Sequence, residues 1–425
     1  MTPAEAPFLP YGRQLIEDDD IAAVVDVLRS DWLTTGPAVA AFEAALCEVT
    51  GAAHAVACAN GPAALHIAAL ALDLAPGDRV IVPSITFLAT ANAVRLAGAE
   101  VVFADCDADS GLMEAAHLAE ALARAAATPG GPVKAVFPVH LTGQCADLAA
   151  IRDLAERHGL AVVDDAAHAI GSRYLSSGDA GGPIGNGRLS DMTTFSFHPV
   201  KTIAMGEGGA VTTNDDHLAV TLRRLRSHGM LREAAELQNA DMAFDAAGKV
   251  NPWYYEMPQI GLNYRFTDIQ CDVGLSQMMM LGRFVSLRRS LAERDDRQLA
   301  ALAPLVRPIA RSAHAEPAWH IYPVLIDFGA AGIDRAQVME ALKAANVGSQ
   351  VHYIPVHLQP YYQQRYGALD LAGANRYYAR TLSLPLFAGM ADSDVDRVVE
   401  TLARVLRNGA GTAGANPQCS AQGGA

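Results

Sequence analysis

A lysine in a mostly apolar neighbourhood, Lys201, is the strongest chemical feature of the sequence. It lies within residues 194–209, between a strand-like run and a glycine-rich turn. Burial disfavours the ammonium form and lowers the pKa of a lysine, so a buried Lys201 would be a nucleophilic amine able to form a Schiff base. Ser196 and His198 precede it, where a hydroxyl could bind phosphate. The alternative is an exposed loop lysine, and spacing alone does not decide between the two.

A second polar group, Asp164, Asp165 and His168, follows an apolar run. Two carboxylates with a histidine three residues later fit a metal site, an acid/base pair, or a carboxylate that pairs with a protonated ring nitrogen. No third metal ligand follows at a recognisable spacing, so no metal is predicted. A helix N-cap formed by either aspartate is the structural alternative.

The segment 58–65 has the pattern of a strand, a glycine turn and the start of a helix. Helix N-termini bind anions because their free N–H groups and the helix dipole favour negative charge. Pro62 removes one of those donors. The segment has neither the G-x-G-x-x-G pattern nor the lysine of a P-loop, so a Rossmann dinucleotide enzyme and a P-loop NTPase are not supported.

The elements that must position these residues alternate regularly. Strand-like runs at 54–58, 79–83, 100–104, 133–137 and 160–163 are separated by helical patterns at 62–74, 87–96, 113–127 and 146–158. This rhythm predicts an α/β fold with a mostly parallel sheet covered on both faces. Ligands of such sheets bind outside the carboxyl ends of the strands, where the polar residues above are expected.

The remainder of the chain predicts a second, smaller domain. Strands are expected at 321–328 and 348–353, with helices at 334–344 and 393–406 and an irregular stretch at 231–258. We therefore predict a large domain over 1–230, a smaller α+β domain over 231–408, and a disordered Gly/Ala/Gln-rich tail over 409–425.

Composition restricts the class of protein. Of 425 residues, 51% are hydrophobic and 18% charged, which excludes a mostly disordered chain. A net charge of −14 argues against partners such as nucleic acid or anionic membrane. Six cysteines without a C-x-x-C pair fit thiols in a reducing compartment. Neither a signal peptide nor a membrane span is recognisable, so a cytoplasmic protein is expected.

Six segments together resemble the PLP-dependent sugar aminotransferases of the DegT/DnrJ/StrS group. They are residues 31–37, 83–92, 138–144, 165–168, 195–201 and 261–265. The resemblance runs from about Tyr11 to about Leu406 and implies the fold-type-I aminotransferase architecture, with a large domain built on a mostly parallel sheet of the seven-stranded type. Residues 226–230, 253–257 and 351–355 are most similar to the members that aminate C4 of UDP-4-keto-6-deoxy sugars for pseudaminic acid.

The resemblance implies a role for each matching residue. Lys201 matches the lysine that holds pyridoxal 5′-phosphate (PLP) and moves the substrate proton. Asp165 matches the carboxylate that pairs with the pyridine nitrogen and keeps it protonated. The other cofactor positions are Gly61, Pro62, Ala63, Phe87, His168, Ser196 and Asn263, of which Phe87 would stack on the ring and Asn263 would reach the PLP phosphate of a neighbouring subunit. Pro62 departs from the family, in which many members have threonine, so N–H groups such as that of Ala63 would have to serve the phosphate.

The substrates implied by the resemblance are a nucleotide sugar and L-glutamate. The matching positions for the nucleotide sugar are Tyr11, Asp31, Trp32, Leu33, Thr34, His352 and Tyr353. A homodimer with shared active sites follows from the match at Asn263.

Three rival functions remain open at this stage. One is an aminotransferase for a different ketosugar, dTDP-linked or 3-keto. Another is a PLP-dependent sugar dehydratase, in which histidine replaces the lysine, and Lys201 argues against it. The third is a non-catalytic homologue that acts as a scaffold.

Overall fold

The computed structural model describes residues 7–176 and 181–413, with side chains up to residue 408. Its strands are β1 (His54–Cys58), β2 (Arg79–Pro83), β3 (Glu100–Ala104), β4 (Val133–Val136), β5 (Ala161–Asp165), β6 (Arg173–Tyr174), β7 (Gly182–Pro183), β8 (Met192–Ser196), β9 (Gly209–Thr213), β10 (Val306–Pro308), β11 (Ala315–Glu316), β12 (Tyr322–Ile326) and β13 (Thr381–Leu384).

The α-helices of the described residues are, in chain order, α1 (Asp18–Arg29), α2 (Pro37–Thr50), α3 (Gly61–Ala71), α4 (Leu88–Leu96), α5 (Ala115–Ala127), α6 (Leu148–Arg157), α7 (Asp216–Arg226), α8 (Ala240–Ala243), α9 (Asp268–Met279), α10 (Leu281–Leu299), α11 (Phe328–Ala331), α12 (Arg335–Ala344), α13 (Pro360–Tyr366), α14 (Ala372–Arg380) and α15 (Asp392–Ala413).

The main sheet has seven strands in the order β1-β9-β8-β5-β4-β2-β3. Only β9 runs antiparallel to its neighbours β1 and β8 among these strands, and the other ladders are parallel. The central strands β5 and β8 are buried almost throughout because helices cover both faces. The predicted α/β class and mostly parallel seven-stranded sheet are confirmed.

Local patterns located the early elements well. The predicted strands 54–58, 79–83 and 100–104 coincide with β1, β2 and β3. Helix α3 begins where Asn60 accepts a hydrogen bond from the N–H of Ala63, with Pro62 in the first turn, where proline is tolerated. Helix α6 begins in the same way at Asp147, whose side chain accepts from Ala150 N–H.

The C-terminal half contains a three-stranded antiparallel sheet in the order β10-β12-β13, which α10 and α14 contact, while α15 packs on α10 and α12. The predicted strand at 348–353 is wrong, because only Gln350 forms a bridge, to Ser383, and the following residues turn into a cleft. Helix α15 continues to Ala413, past the predicted tail boundary at 409. Residues 414–425 lie outside the described part, and the domain boundaries remain predictions.

The core is formed by two clusters of buried side chains. One follows the main sheet into the C-terminal half, and the other lies around α2, α9 and the start of α10. Within residues 7–176 and 181–413, no helix combines the length and apolarity that crossing a bilayer requires.

Candidate active site

A cleft with a volume of about 570 Å³ opens at the carboxyl ends of the main strands. Asp165 ends β5, Ser196 ends β8, and Gly61 follows β1 after a two-residue turn. The predicted site residues that line it are Tyr11, Gly61, Pro62, Phe87, Asp165, His168, Ser196, Lys201, His352 and Tyr353. The site thus lies where the strand order of an α/β sheet makes a ligand site expected.

Lys201 lies in the turn after β8, held by a hydrogen bond from its N–H to the carbonyl of His198 (2.8 Å). Desolvation lowers its pKa from the usual 10.5 to about 8, and the nearby carboxylate of Asp165 opposes this shift. A substantial fraction of the amine is therefore neutral near pH 8, which is the form that attacks a carbonyl. The prediction that Lys201 is a desolvated lysine, and not an exposed loop residue, agrees with the structure.

Asp165 is oriented by two donors. The hydroxyl of Thr90 lies 2.7 Å from Oδ2, and the N–H of Ala167 donates to Oδ1 over 3.1 Å. Thr86 in turn lies 2.7 Å from the Thr90 hydroxyl, and because Thr90 donates to the carboxylate, Thr86 donates to Thr90. Among the described side chains no cation forms an ion pair with this carboxylate, although Lys201 is near, so it is available to pair with a protonated ring nitrogen.

Asp164 lies on the opposite face of the sheet, as the alternation of a strand requires. Its Oδ2 is 3.4 Å from Nε2 of His140, in a region separate from the cleft. The hypothesis of a joint metal site for Asp164, Asp165 and His168 therefore fails. In the part of the chain that the structure describes, no three His, Cys, Asp or Glu side chains are grouped as metal ligands.

The end of the cleft at α3 offers a small set of donors. A Cβ on Gly61 would lie 2.7 Å from Cβ of Ser196, so only glycine permits this close approach. Within the described residues, neither the Ser196 hydroxyl nor the Gly61 N–H is hydrogen-bonded to another protein group. The N–H of Ala63, which the sequence suggested for phosphate, is instead taken by the side chain of Asn60 at 2.9 Å. The phosphate role of Ala63 is therefore not supported.

Phe87 directly precedes α4, lines the cleft and has 55% of its surface exposed. A large aromatic ring that is more than half exposed in a cleft is suited to stack on a flat ligand. Its ring lies 5.9 Å from that of Tyr353. These groups fit the parts of PLP. The lysine suits its reactive aldehyde and the carboxylate its ring nitrogen. The aromatic ring suits its ring face, and the glycine-serine end suits its phosphate.

His168 is fully engaged with protein groups. The N–H of Thr142 donates to its Nδ1 (3.2 Å), and its Nε2 lies 3.0 Å from the hydroxyl of Tyr353. Burial, and next the charge of Lys201, lower its pKa well below the usual range, so the ring is neutral. It therefore has no free ring nitrogen for a cofactor, and it can contact a cofactor only through the face of its ring.

Tyr11 and His352 form one wall of the cleft, with ring centroids 5.5 Å apart. Nδ1 of His352 lies 2.8 Å from the hydroxyl of Ser383, and burial lowers the pKa of this histidine to about 3. This wall is thus aromatic and uncharged at neutral pH, which suits contacts with a sugar or a base.

The remaining predicted site residues lie outside this cleft. The segment from Asp31 to Thr34 is exposed. It contacts the start of α9 through a β-bridge between Thr34 and Thr267. Asn263 is also exposed and bridges to Ser227. None of these five residues lines the cleft of its own chain.

Sequence reasoning missed Arg288. Its guanidinium is 1% exposed and donates to the carbonyls of Trp319, His320 and Leu386 over 3.0–3.3 Å, and more weakly to that of Lys201 (3.5 Å). Within the described residues no carboxylate pairs with it, and burial lowers its pKa to about 10. In the sequence it is one of several arginines on an amphipathic helix, and nothing distinguishes it.

With this geometry established, comparison with known proteins gives the class. The sequence profile of the DegT/DnrJ/EryC1/StrS aminotransferase family matches residues 14–403. The chain is 38% identical over 403 residues to the spore coat polysaccharide biosynthesis protein SpsC of Bacillus subtilis, covering 94% of this chain and 97% of that protein.

Solved structures agree with that family match. Helicobacter pylori PseC, described as an aminotransferase involved in the biosynthesis of pseudoaminic acid, has a TM-score of 0.83 and 28% identity over 94% of this chain and 100% of its own. The PLP form of the sugar aminotransferase Spr1654 of Streptococcus pneumoniae has a TM-score of 0.80 and 26% identity over 95% and 99%.

The fold and the lysine-containing cleft define a PLP-dependent sugar aminotransferase. The chain belongs to the DegT/DnrJ/EryC1/StrS aminotransferase family.

Proposed function

We propose that this enzyme transfers the amino group of L-glutamate to the C4 ketone of a UDP-linked 4-keto-6-deoxy-N-acetylhexosamine. The observation that carries the proposal is the full-length likeness to PseC, together with Tyr11 and His352 facing the same cleft as Lys201. Those two rings give the sugar an uncharged aromatic wall next to the reactive lysine.

We assign the cofactor roles to residues whose surroundings suit them. PLP, when bound, takes up and returns the amino group and accepts the electrons left by the broken C–H bond. Lys201 holds it covalently and, once released, moves the proton on one face of the substrate. Asp165 keeps the ring nitrogen protonated, Phe87 covers the ring, and Ser196 with the Gly61 N–H holds the phosphate.

We also assign Asn263 and the segment from Asp31 to Thr34 to the active site of a partner subunit in a homodimer. Two features of the described chain support this assignment. The surface beside them carries large exposed side chains, with Trp253 74% and Ile260 83% exposed. At the phosphate end the Ser196 hydroxyl and the Gly61 N–H are free donors, and a further donor from a second copy would add to them.

The substrate is tested with purified enzyme loaded with PLP and supplied with glutamate. A panel of UDP- and dTDP-linked 4-keto and 3-keto sugars is offered, and amine formation is followed by mass spectrometry. Amination of the UDP-4-keto sugar at least tenfold faster than the others supports the proposal. Preference for a dTDP-linked or 3-keto sugar rejects the proposed substrate and keeps the enzyme class.

The scaffold alternative gives a different result. A non-catalytic homologue would bind the sugar or PLP but leave glutamate unchanged with every acceptor, including its own ketosugar.

A further inference from the structure

The hydrogen-bond directions around His168 are fixed by the backbone. Thr142 is fully buried and adopts a left-handed conformation (φ 67°), which is uncommon for a β-branched residue. In this conformation its N–H points at Nδ1 of His168 (3.2 Å), while its carbonyl accepts from the N–H of His320 (2.9 Å). A backbone N–H can only donate, so Nδ1 of His168 must be the acceptor.

This acceptor role determines the tautomer. A neutral imidazole that accepts at Nδ1 carries its proton on Nε2. The Nε2–H of His168 therefore donates to the oxygen of Tyr353 across their 3.0 Å separation. The surroundings keep the ring neutral, because burial first, and then the charges of Lys201 and His352, lower the pKa of His168.

The hydroxyl proton of Tyr353 is consequently left without a protein acceptor among the described residues. Its oxygen already accepts from His168, and its side chain lines the cleft, so the O–H is free to point into it. Burial and the nearby carboxylate of Asp165 raise the pKa of Tyr353, so the hydroxyl stays protonated at working pH. Tyr353 is thus a donor facing the ligand.

We infer that Tyr353 is a catalytic residue whose hydroxyl donates to the carbonyl oxygen of the keto compound in each half-reaction. When an amine adds to that carbonyl carbon, the C–N bond forms from the amine lone pair and the C=O π pair moves onto oxygen. A preorganised donor at that oxygen stabilises the developing charge. His168 and the Thr142 N–H act as positioning groups.

This inference rests on the proposed function for its sugar but extends to the glutamate half-reaction, in which 2-oxoglutarate presents the same group. The matched variants are Tyr353→Phe and Tyr362→Phe. Tyr362 lies in the same half of the chain but outside the cleft, and its hydroxyl donates to Asn92 (2.9 Å). Both variants keep the ring and remove one hydroxyl.

Three measurements test the inference. Imidazole ¹⁵N spectra of the apoenzyme, assigned through His168→Gln, should show the His168 proton on Nε2. Tyr353→Phe should slow both half-reactions about 100-fold, the loss typical of one such donor. PLP affinity and melting temperature should stay close to those of Tyr362→Phe, whose half-reactions remain at wild-type rates.

Other outcomes overturn the inference. A proton on Nδ1 reverses the direction of the network. A rise confined to the KM of the nucleotide sugar would make Tyr353 a nucleotide contact, and a loss of PLP affinity would make it a cofactor contact. If wild type converts glutamate but aminates no UDP-ketosugar, the proposed sugar fails, and the glutamate half-reaction still tests Tyr353.

Discussion

The hydroxyl of Thr90 lies 2.7 Å from Oδ2 of Asp165, so a side chain of α4 orients the carboxylate at the end of β5. Thr86, before the same helix, donates to Thr90. The two threonines thus hold the carboxylate in one rotamer, with its other oxygen bound by the N–H of Ala167. Preorganisation of this kind removes a reorientation step when a cationic ring nitrogen is bound.

Thr90→Val tests that orientation with little change of volume. Removing one hydrogen bond to a charged acceptor costs about 1.5–3 kcal/mol, so we expect the glutamate half-reaction to slow about tenfold or more. Asp165→Asn should slow it about 100-fold or more, because the charge itself is lost. Stopped-flow absorbance measures both. Wild-type rates for Thr90→Val would show that the hydrogen bond from Thr90 is not required to orient the Asp165 carboxylate.

Lys201→Ala should abolish the covalent hold on PLP. We expect wild type to absorb in the visible after PLP is added and to bleach with glutamate. The variant should lack the wild-type absorbance of the covalent complex and should not bleach with glutamate at the wild-type rate. Lys343→Ala, which changes an exposed lysine of α12, is the control and should behave as wild type. Bleaching of Lys201→Ala at the wild-type rate would contradict the assigned role.

The lowered pKa of Lys201 has a consequence for the stability of the apoenzyme. Between about pH 8 and pH 10.5 the unfolded chain binds more protons than the folded one, so the free energy of unfolding should rise with pH there. Below pH 8 the buried ammonium destabilises the fold. Lys201→Met should therefore raise the melting temperature at pH 7, and the gain should shrink at pH 10.

The control for that experiment is Lys343→Met, whose side chain is exposed. It should leave the pH dependence as in wild type. An equal gain for Lys201→Met at pH 7 and pH 10 would mean that packing, and not the charge, limits stability at this position.

Gly61→Ala should weaken PLP binding. The added Cβ would lie 2.7 Å from Cβ of Ser196, so one of the two phosphate donors must move. We expect the Kd of PLP for the apoenzyme, measured by fluorescence titration, to rise at least about tenfold, or about 1.4 kcal/mol. Gly282→Ala in α10 meets no atom within 4 Å and should leave the Kd unchanged. An unchanged Kd for Gly61→Ala would place the phosphate elsewhere.

The shared site can be tested by complementation. Lys201→Ala and Asn263→Ala subunits are co-expressed with different tags. If Asn263 serves the partner's site, each mixed dimer has one intact site, and random pairing restores about a quarter of wild-type activity. If Asn263 serves its own subunit, both sites of the mixed dimer are damaged, and the mixture is no more active than its parts.

Local sequence patterns were enough for the early part of the fold. Strands β1 to β3 follow from short β-branched runs bounded by turn residues, and α3 from the Asn60 cap and Pro62. Asp165 could also be found, because a polar residue that ends an apolar strand of an α/β sheet is conspicuous, and Lys201 because it lies alone in an apolar run before a glycine-rich turn.

Contacts between distant parts of the chain could not be predicted from these patterns. The pair His168 and Tyr353 is separated by 185 residues, and Thr90 and Asp165 by 75. The strand expected at 348–353 failed for the same reason, since residues 350–354 line the cleft and only Gln350 pairs with a strand residue, Ser383.

Arg288 ties three separate segments to one buried cation: the turn of Lys201, the residues before β12, and Leu386 after β13. If one segment withdrew, the guanidinium would keep its other acceptors but lose part of its hydrogen bonding in a dry interior, which costs free energy. We therefore expect the three segments to open together and not one at a time. Backbone amides around Lys201 and in β12 should accordingly exchange with deuterium at one common rate, and cofactor loss and unfolding should occur as a single event.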